Sequence, residues 1–547
     1  CRPAATPAPT VPPVTPTERP TSTPAPVLET VAPTEAPTAA PAGPAKGGTY
    51  RMLVNTDIPA LDPCGAAWWV DWWSVGTLLN NTLYAYDKDY KLYPDLAADF
   101  PKVSDDGLVY TIPLRKGVKF HTGSPMTAAD VKFTFDHAHW PETNNWGKTY
   151  LSNIVGYEDV VEGKTQDLAG VKVLDDFTIE ITLKRPQAVF IPLLTMTFLG
   201  IIPKKETLEA GADFGTKVVI GTGPFKFVSW EAAQKLVYER NPDYFKPGLP
   251  YLDRIEIFLN VTPETAILRW EADEAEFTFL PPTETERILN DPNLQPAIRN
   301  ATRPTSQRIF INWKKGKPFD DVRVRQAVAH AINKQSIVKS MSGLAVALEG
   351  IYAPGMAQFE GSFKSKYQYD PARSKALLAE AGYPDGLKDI KMAIAGPLGE
   401  LIQADLKAAG IEVTIMTGQE ANYQDMVLSG EIPLSLGAWA ASIPDAYDFV
   451  SGWTTCASAK LEGTYNVGQY CNERVDELMA EGEALPLLDP QRIAKYREIE
   501  DLVINQDVGM IGLYSDMAIG LSKPYVHDDF MSGIYGLPFL EAAWLEK

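Results

Sequence analysis

Capped helices and short strands alternate along the second half of the chain, and this alternation restricts the fold more than any other feature. YDPARSKALLAEAG places Asp370 as a cap, Pro371 at the first helical position and Gly382 at the end. LGELIQADLKAAG reads as a helix that gives way to the strand IEVTIM. DPQRIAKYREIEDLVINQ repeats the Asp cap and Pro start. DDVRVRQAVAHAINKQSIV sets Val324, Ala327, Val328, Ala331 and Ile332 on one helical stripe. Strands alternating with helices specify an α/β lobe.

The first half is richer in strands. GGTYRMLVNTDIPALDPC reads as a turn, a strand and a loop. Asp106-Gly107 marks a hairpin turn ahead of the partly alternating LVYTIPL. Thr127 is placed to cap a helix that carries Val131 and Phe135 on one face. FTIEITL alternates as a strand over 177–183, and GTGPFKFVSW, KLVYERN and DRIEIFLN add three more. No repeat of solenoid length is present.

Residues 1–46 are excluded from any packed core. They are mostly Pro, Ala and Thr, and too poor in large apolar side chains to offset the entropy of ordering. Polyproline II at ~3 Å per residue makes such a segment a semi-rigid spacer, of order 100 Å when extended. A chain that opens on Cys1 with no charged or apolar leader is expected to have lost a signal peptide and to carry lipid on that thiol. One acyl chain binds a membrane marginally and two bind it stably. The remaining roughly 500 residues exceed a single simple core and call for two or three lobes.

The net charge of -20 argues against a nucleic-acid partner, whose phosphates require basic patches. No run reaches the ~18 apolar residues of a membrane span, so membrane contact is expected through Cys1 alone. Of four cysteines, Cys456 and Cys471 flank a polar stretch and are expected to pair in an exported protein. Cys64 is then single and is expected to be a small buried apolar residue.

Motifs for catalysis, metal or cofactor are missing: no GxSxG, HExxH, CxxC, Walker A or GxGxxG occurs. His137 and His139 are two apart and diverge on a helix, so a shared metal is not expected. No catalytic residue, metal or cofactor is therefore assigned. The aromatic cluster AAWWVDWW is the stronger signal. Trp68, Trp69, Trp72 and Trp73 are more than one helix readily buries, and they are candidates for the wall of a ligand cleft.

Four blocks in order resemble the extracellular solute-binding proteins of family 5, the peptide- and nickel-type receptors of ABC importers. They are PDLAADF with DGLVYTIPLRKGVKFHTGSPMTAADVKFTF, GTGPFKFVSW with RNPDYF, INWKKGKPFDDVRVRQAVAHAINKQSIV, and APGM with YDPARSKALLAEAGYPDG. The resemblance implies a two-lobed periplasmic-binding-protein-like α/β fold with an additional subdomain (type II, large cluster C-like). Residues 47–83, 204–309 and 512–547 would form lobe I, 84–203 the additional subdomain and 310–511 lobe II. Ligand would be enclosed between lobes that close about a hinge.

The informative departure lies in LGAWAASIPDAYDF. Peptide-binding relatives read roughly Trp-x-x-Asp-x-x-Asp-Pro here, and the first Asp holds the peptide ammonium group. Trp439 keeps the Trp place, Asp445 keeps the second Asp, and Ser442 stands where the first Asp would be. A hydroxyl gives up a charge-assisted bond. Another carboxylate then supplies the charge, or the ligand is not a free-amino peptide, or the loop is shifted by a residue or two. Trp439 is the leading stacking wall and Ser442 a neutral hydrogen-bonding group. Tyr514, near the lobe crossover, is a weaker site candidate, and Asp445 is expected to hold its loop.

The resemblance thus implies a monomeric lipoprotein on the outer face of the cytoplasmic membrane that passes a peptide-like solute to ABC permease subunits. An oligosaccharide receptor and a tethered hydrolase are the alternatives.

Overall fold

A computed structural model describes residues 43–65, 73–143, 145, 147–313, 318–359, 361, 363–394, 396–417, 423–429, 431–460 and 466–546. Cys1, Trp68, Trp69 and Trp72 lie outside these residues.

One strand organises the molecule. Met510–Ser522 runs for 13 residues in a 12-stranded sheet. Its first half pairs antiparallel with Thr305–Ile311 and Ala345–Ala347, with Phe310 opposite Met510 and Ala347 opposite Tyr514. Its second half pairs antiparallel with Phe277–Phe279 and Ile298–Thr302, with Thr278 opposite Leu521 and Asn300 opposite Ile519. Beyond Thr305–Ile311 the sheet continues through Leu434–Ala440, Leu387–Ala393 and Ile411–Ile415. In the other direction it continues through Thr49–Leu53, Arg254–Phe258, Lys235–Arg240 and Phe225–Glu231.

The two wings have separate cores. Tyr50, Met52, Phe225, Ile255 and Ile257 pack together on one side, and Ile309, Val328, Met392, Leu406 and Leu513 on the other. The chain crosses between wings within Met510–Ser522 and again at Arg303-Pro304, between Ile298–Thr302 and Thr305–Ile311.

Much of 83–201 surrounds a third core that includes Tyr110, Ile112, Val131, Phe135, Ile179 and Ile181. Its four-stranded sheet runs Lys102–Val103, Val109–Pro113, Thr178–Thr182, Val171–Asp175. Val109–Pro113 and Thr178–Thr182 bury every second residue, as period-two sequences must when one face is covered. Gly107 takes φ +71° in the connecting turn, a conformation open to glycine. Helix Ala128–His139 starts with a capping box: Thr127 N donates to Asp130 Oδ2 at 2.9 Å.

The Asp-Pro starts form as helices Pro371–Glu380 and Pro490–Asp501. Asp370 accepts from Arg373 N at 2.9 Å and Asp489 from Gln491 N at 2.7 Å. The stripe read through Ile332 divides. Helix Val322–Ala331 stops before Ile332, which is extended, because Asn333 caps a second helix, Lys334–Ser340, through Ser336 N at 3.1 Å. Local capping overrides an apolar period that is continuous across the break.

Cys456 and Cys471 form a disulfide with a sequence separation of 15. A loop of that length is worth ~3 kcal/mol in the chain-entropy account. Cys456→Ser with Cys471→Ser is expected to lower the unfolding free energy by about that much, measured in urea against the oxidised parent. Equal stability would show that the unfolded chain gains no freedom from the cut. Cys64 is a fully buried thiol, and burial raises its pKa well above the ordinary value.

Candidate functional site

A cavity of about 260 Å3 lies where the third core, the first wing and the second wing meet. Tyr86, Tyr93 and Asp95 reach it from the third core, Lys246 from the first wing, and Tyr535 and Glu541 from the C-terminal segment. Ser442 enters from the second wing, in the loop after strand Leu434–Ala440.

That loop is held by two buried carboxylates with different tasks. Asp445 takes both terminal nitrogens of Arg492 at 2.8 Å and accepts from Gln358 Nε2 at 2.9 Å and from Tyr447 N at 2.9 Å. Arg492 is fully buried, also pairs with Glu483 at 2.8 Å, and stacks over Tyr496. A bidentate fork fixes direction as well as distance, so the turn after Ser442 is rigidly placed.

Asp448 gathers donors from the second wing and from the third core. Its Oδ2 accepts from Ser442 N at 2.6 Å and Trp439 Nε1 at 3.2 Å, and its Oδ1 from Tyr150 OH at 2.6 Å. Burial raises its acid pKa to about 6, against the pull of these donors. Tyr150 belongs to the third core, so one carboxylate ties the two bodies together. Gln187 Nε2 donates to Tyr447 OH at 3.2 Å and Ala188 N to Glu483 O at 3.1 Å, which adds two further bridges.

The opposite wall carries a charge imbalance. Lys246 Nζ lies 2.9 Å from Asp95 Oδ1 and 2.8 Å from Glu541 Oε1. Asn81 Nδ2 donates to Asp95 Oδ2 at 2.7 Å, and Tyr244 OH donates to Glu541. Burial raises the Asp95 pKa and Lys246 offsets only part of that. Burial also opposes the Lys246 charge, but Asp95, Tyr244 and Glu541 more than compensate and raise its pKa. Two acids share one ammonium group in a site that excludes most water, which favours a further cation.

Ser442 is the sequence-selected residue that lines this cavity. Trp439 stands behind it, half-buried, with its ring edge against Trp453 at 5.4 Å. Trp73 is fully buried in the first wing and donates Nε1 to Pro538 O at 3.0 Å. Tyr514 is buried in the central strand, within the core of the second wing. Neither lines the cavity. Sequence reasoning missed Asp95, Lys246, Glu541, Tyr150 and Asp448. Only Asp448 carried a local signal, as a further acid in the segment IPDAYDF.

Among the described residues no three His, Cys, Asp or Glu side chains converge as a metal site would need, and no helix is long and apolar enough to cross a membrane. The rings of His137 and His139 go separate ways: His137 stacks on Phe133, and His139 Nδ1 lies 2.6 Å from Phe135 O.

The family model for bacterial extracellular solute-binding proteins, family 5 (Middle), matches residues 91–460. The chain belongs to this family. As a family 5 protein it is 31% identical over 469 residues to the glutathione-binding protein GsiB of Salmonella choleraesuis (strain SC-B67), covering 83% of this chain and 86% of that relative. It is 30% identical over 454 residues to the di/tripeptide-binding protein 2 of Pseudomonas aeruginosa (strain UCBPP-PA14), covering 78% and 82%. The solved structure of the ABC transporter-associated periplasmic binding protein DppA from Helicobacter pylori, in complex with the peptide STSA, superposes with a TM-score of 0.75 at 26% identity, covering 92% of this chain and 99% of DppA. The family 5 fold is the two-lobed one.

Proposed function

We propose that this chain is the capture subunit of an ABC importer and encloses a short, free-amino peptide-like solute outside the cytoplasm. The observation that carries this reading is the cavity wall in which Asp95 and Glu541 share Lys246, facing a neutral Ser442. The acid absent at Ser442 is replaced by this pair, which receives the ligand's ammonium group. A volume of about 260 Å3 suits two or three residues rather than an extended chain. The ligands in the names of the two curated relatives, glutathione and di/tripeptides, are of that size.

In this reading residues 47–83, 204–309 and 512–547 act as lobe I, 84–203 as the additional subdomain and 310–511 as lobe II. They close about the two crossings, bringing Ser442 onto the far wall. No bond is made or broken in the ligand. Affinity comes from aromatic enclosure and a few placed charges, and release comes from opening towards a permease.

A thermal-shift panel tests it with di- to hexapeptides, reduced glutathione, and α- and β-linked oligosaccharides. A ligand at 100 times its Kd stabilises the protein by ~2.7 kcal/mol. The largest shift is expected from a di- or tripeptide or glutathione, and is expected to vanish on N-acetylation. A shift from sugars alone would overturn the peptide reading.

A further inference from the structure

A second cavity of about 520 Å3 adjoins the first, with Tyr535 in the wall of both. It opens at the carboxyl ends of the parallel strands Thr49–Leu53 and Phe277–Phe279, where ligand crevices form in sheets with parallel neighbours. Its walls are largely apolar, with Val261, Phe279, Leu280 and Ile519 among them, and Arg303 is the one charged side chain that lines it among the described residues.

Arg303 sits on the crossing between the lobes, anchored by its own backbone N–H to Asp516 O at 3.2 Å. Its side chain has no such anchor. Nε is buried without a hydrogen-bond partner, and among the described residues the guanidinium forms no ion pair. Asp516, whose charge acts on Arg303, uses Oδ2 to accept from Gln307 Nε2 at 3.1 Å. Gly536, at φ +69°, lies flat against the guanidinium: a Cβ there would come within 3.1 Å of Nε. A planar five-donor cation is therefore presented to an apolar cavity with its donors unspent. An unpaired buried charge is costly, and a bidentate carboxylate is the partner that fits the fork.

We propose that Arg303 is the receptor for a ligand carboxylate and that the apolar walls beside it hold the body of that acid. Resting on the peptide reading, this also orients the ligand. The ammonium end lies towards Asp95 and Glu541, Tyr535 flanks the middle, and the carboxyl end reaches Arg303. The two cavities have opposite charge preference, so the ligand is a zwitterion with both ends free.

The test compares binding of trialanine and trialanine amide to the full chain, and separately of phenylacetate and phenylacetamide. Wild type is expected to favour each acid over its amide by about tenfold or more. Arg303→Gln is expected to bind acid and amide alike. If that variant does not fold, Arg303→Lys is read instead: it keeps the charge, loses the fork, and is expected to reduce the preference at least severalfold. Equal binding of acid and amide by wild type overturns the proposal, as does an unchanged preference in the variant that folds. If no peptide binds but phenylacetate does so through Arg303, the peptide reading fails and the carboxylate site stands. If peptides bind equally as acid and amide, the site fails and the reading stands. Binding of neither class overturns both.

Discussion

Arg492→Ala is expected to lower the unfolding free energy by ~3–5 kcal/mol at pH 7, the usual cost of removing one partner from a buried ion pair. Arg492 is fully buried and neutralises two carboxylates, Asp445 and Glu483, each at 2.8 Å. The variant leaves both acids in the interior with Gln358, Tyr447 N and Tyr496 OH as their remaining donors. Burial already raises the Glu483 pKa and Arg492 holds it back, so without Arg492 it rises further. The sign follows directly: a folded-state acid raised above its unfolded value is stabilising at low pH and loses that contribution as pH rises through the folded value. The deficit should therefore be smaller at pH 4.5 than at pH 7. Urea unfolding at the two pH values measures this. A loss under 1 kcal/mol at pH 7 would mean that the loop holding Ser442 does not depend on the Asp445 fork.

Asp448→Ala is expected to cost about 4 kcal/mol, because three donors at least partly buried lose this acceptor at ~1–3 kcal/mol each with partial relaxation. These are Tyr150 OH, Trp439 Nε1 and Ser442 N. Tyr150 and Ser442 sit on different bodies, so the same change loosens the contact between them. The conservative Asp448→Asn isolates the titration. Burial raises the wild-type group from 3.8 to about 6. Folding therefore takes up a proton between roughly pH 4 and 6, and the stability this group supplies below that window is lost as pH climbs through it. A shift of this size corresponds to ~3 kcal/mol. The difference in unfolding free energy between wild type and Asp448→Asn should change by that order across the window. A flat difference would mean that Asp448 is not desolvated in solution and that the contact through Tyr150 is open.

What the sequence reveals and what it hides divide along a physical line. Thr127 with Asp130, Asp370 with Pro371, and Asp489 with Pro490 are legible because a cap and its helix lie within one turn of chain. Alternation in Val109–Pro113 is legible because burial of one face imposes it locally. Asp95, Lys246 and Glu541 are not, since no periodicity links residues so far apart. Trp73 illustrates the opposite error. Its surplus of aromatic neighbours suggests a cleft, but a carbonyl at Pro538 and the first-wing core absorb it. Tyr514 is near a crossing, as the resemblance implies, yet its ring packs into the second-wing core. Ser442 stands out only against the family pattern, which has an acid in its place.

The strand Met510–Ser522 has a consequence for how the molecule is made. It joins the two sheet wings, and ribosomes deliver it after every strand it pairs with. Until then Thr305–Ile311 and Phe277–Phe279 each lack the neighbour that covers one edge. Neither wing can finish while the nascent chain is short, so completion of the large sheet waits for this strand. The open edges are pairing hazards during that wait, and the chain is most vulnerable to association with its own copies just before its last long strand emerges.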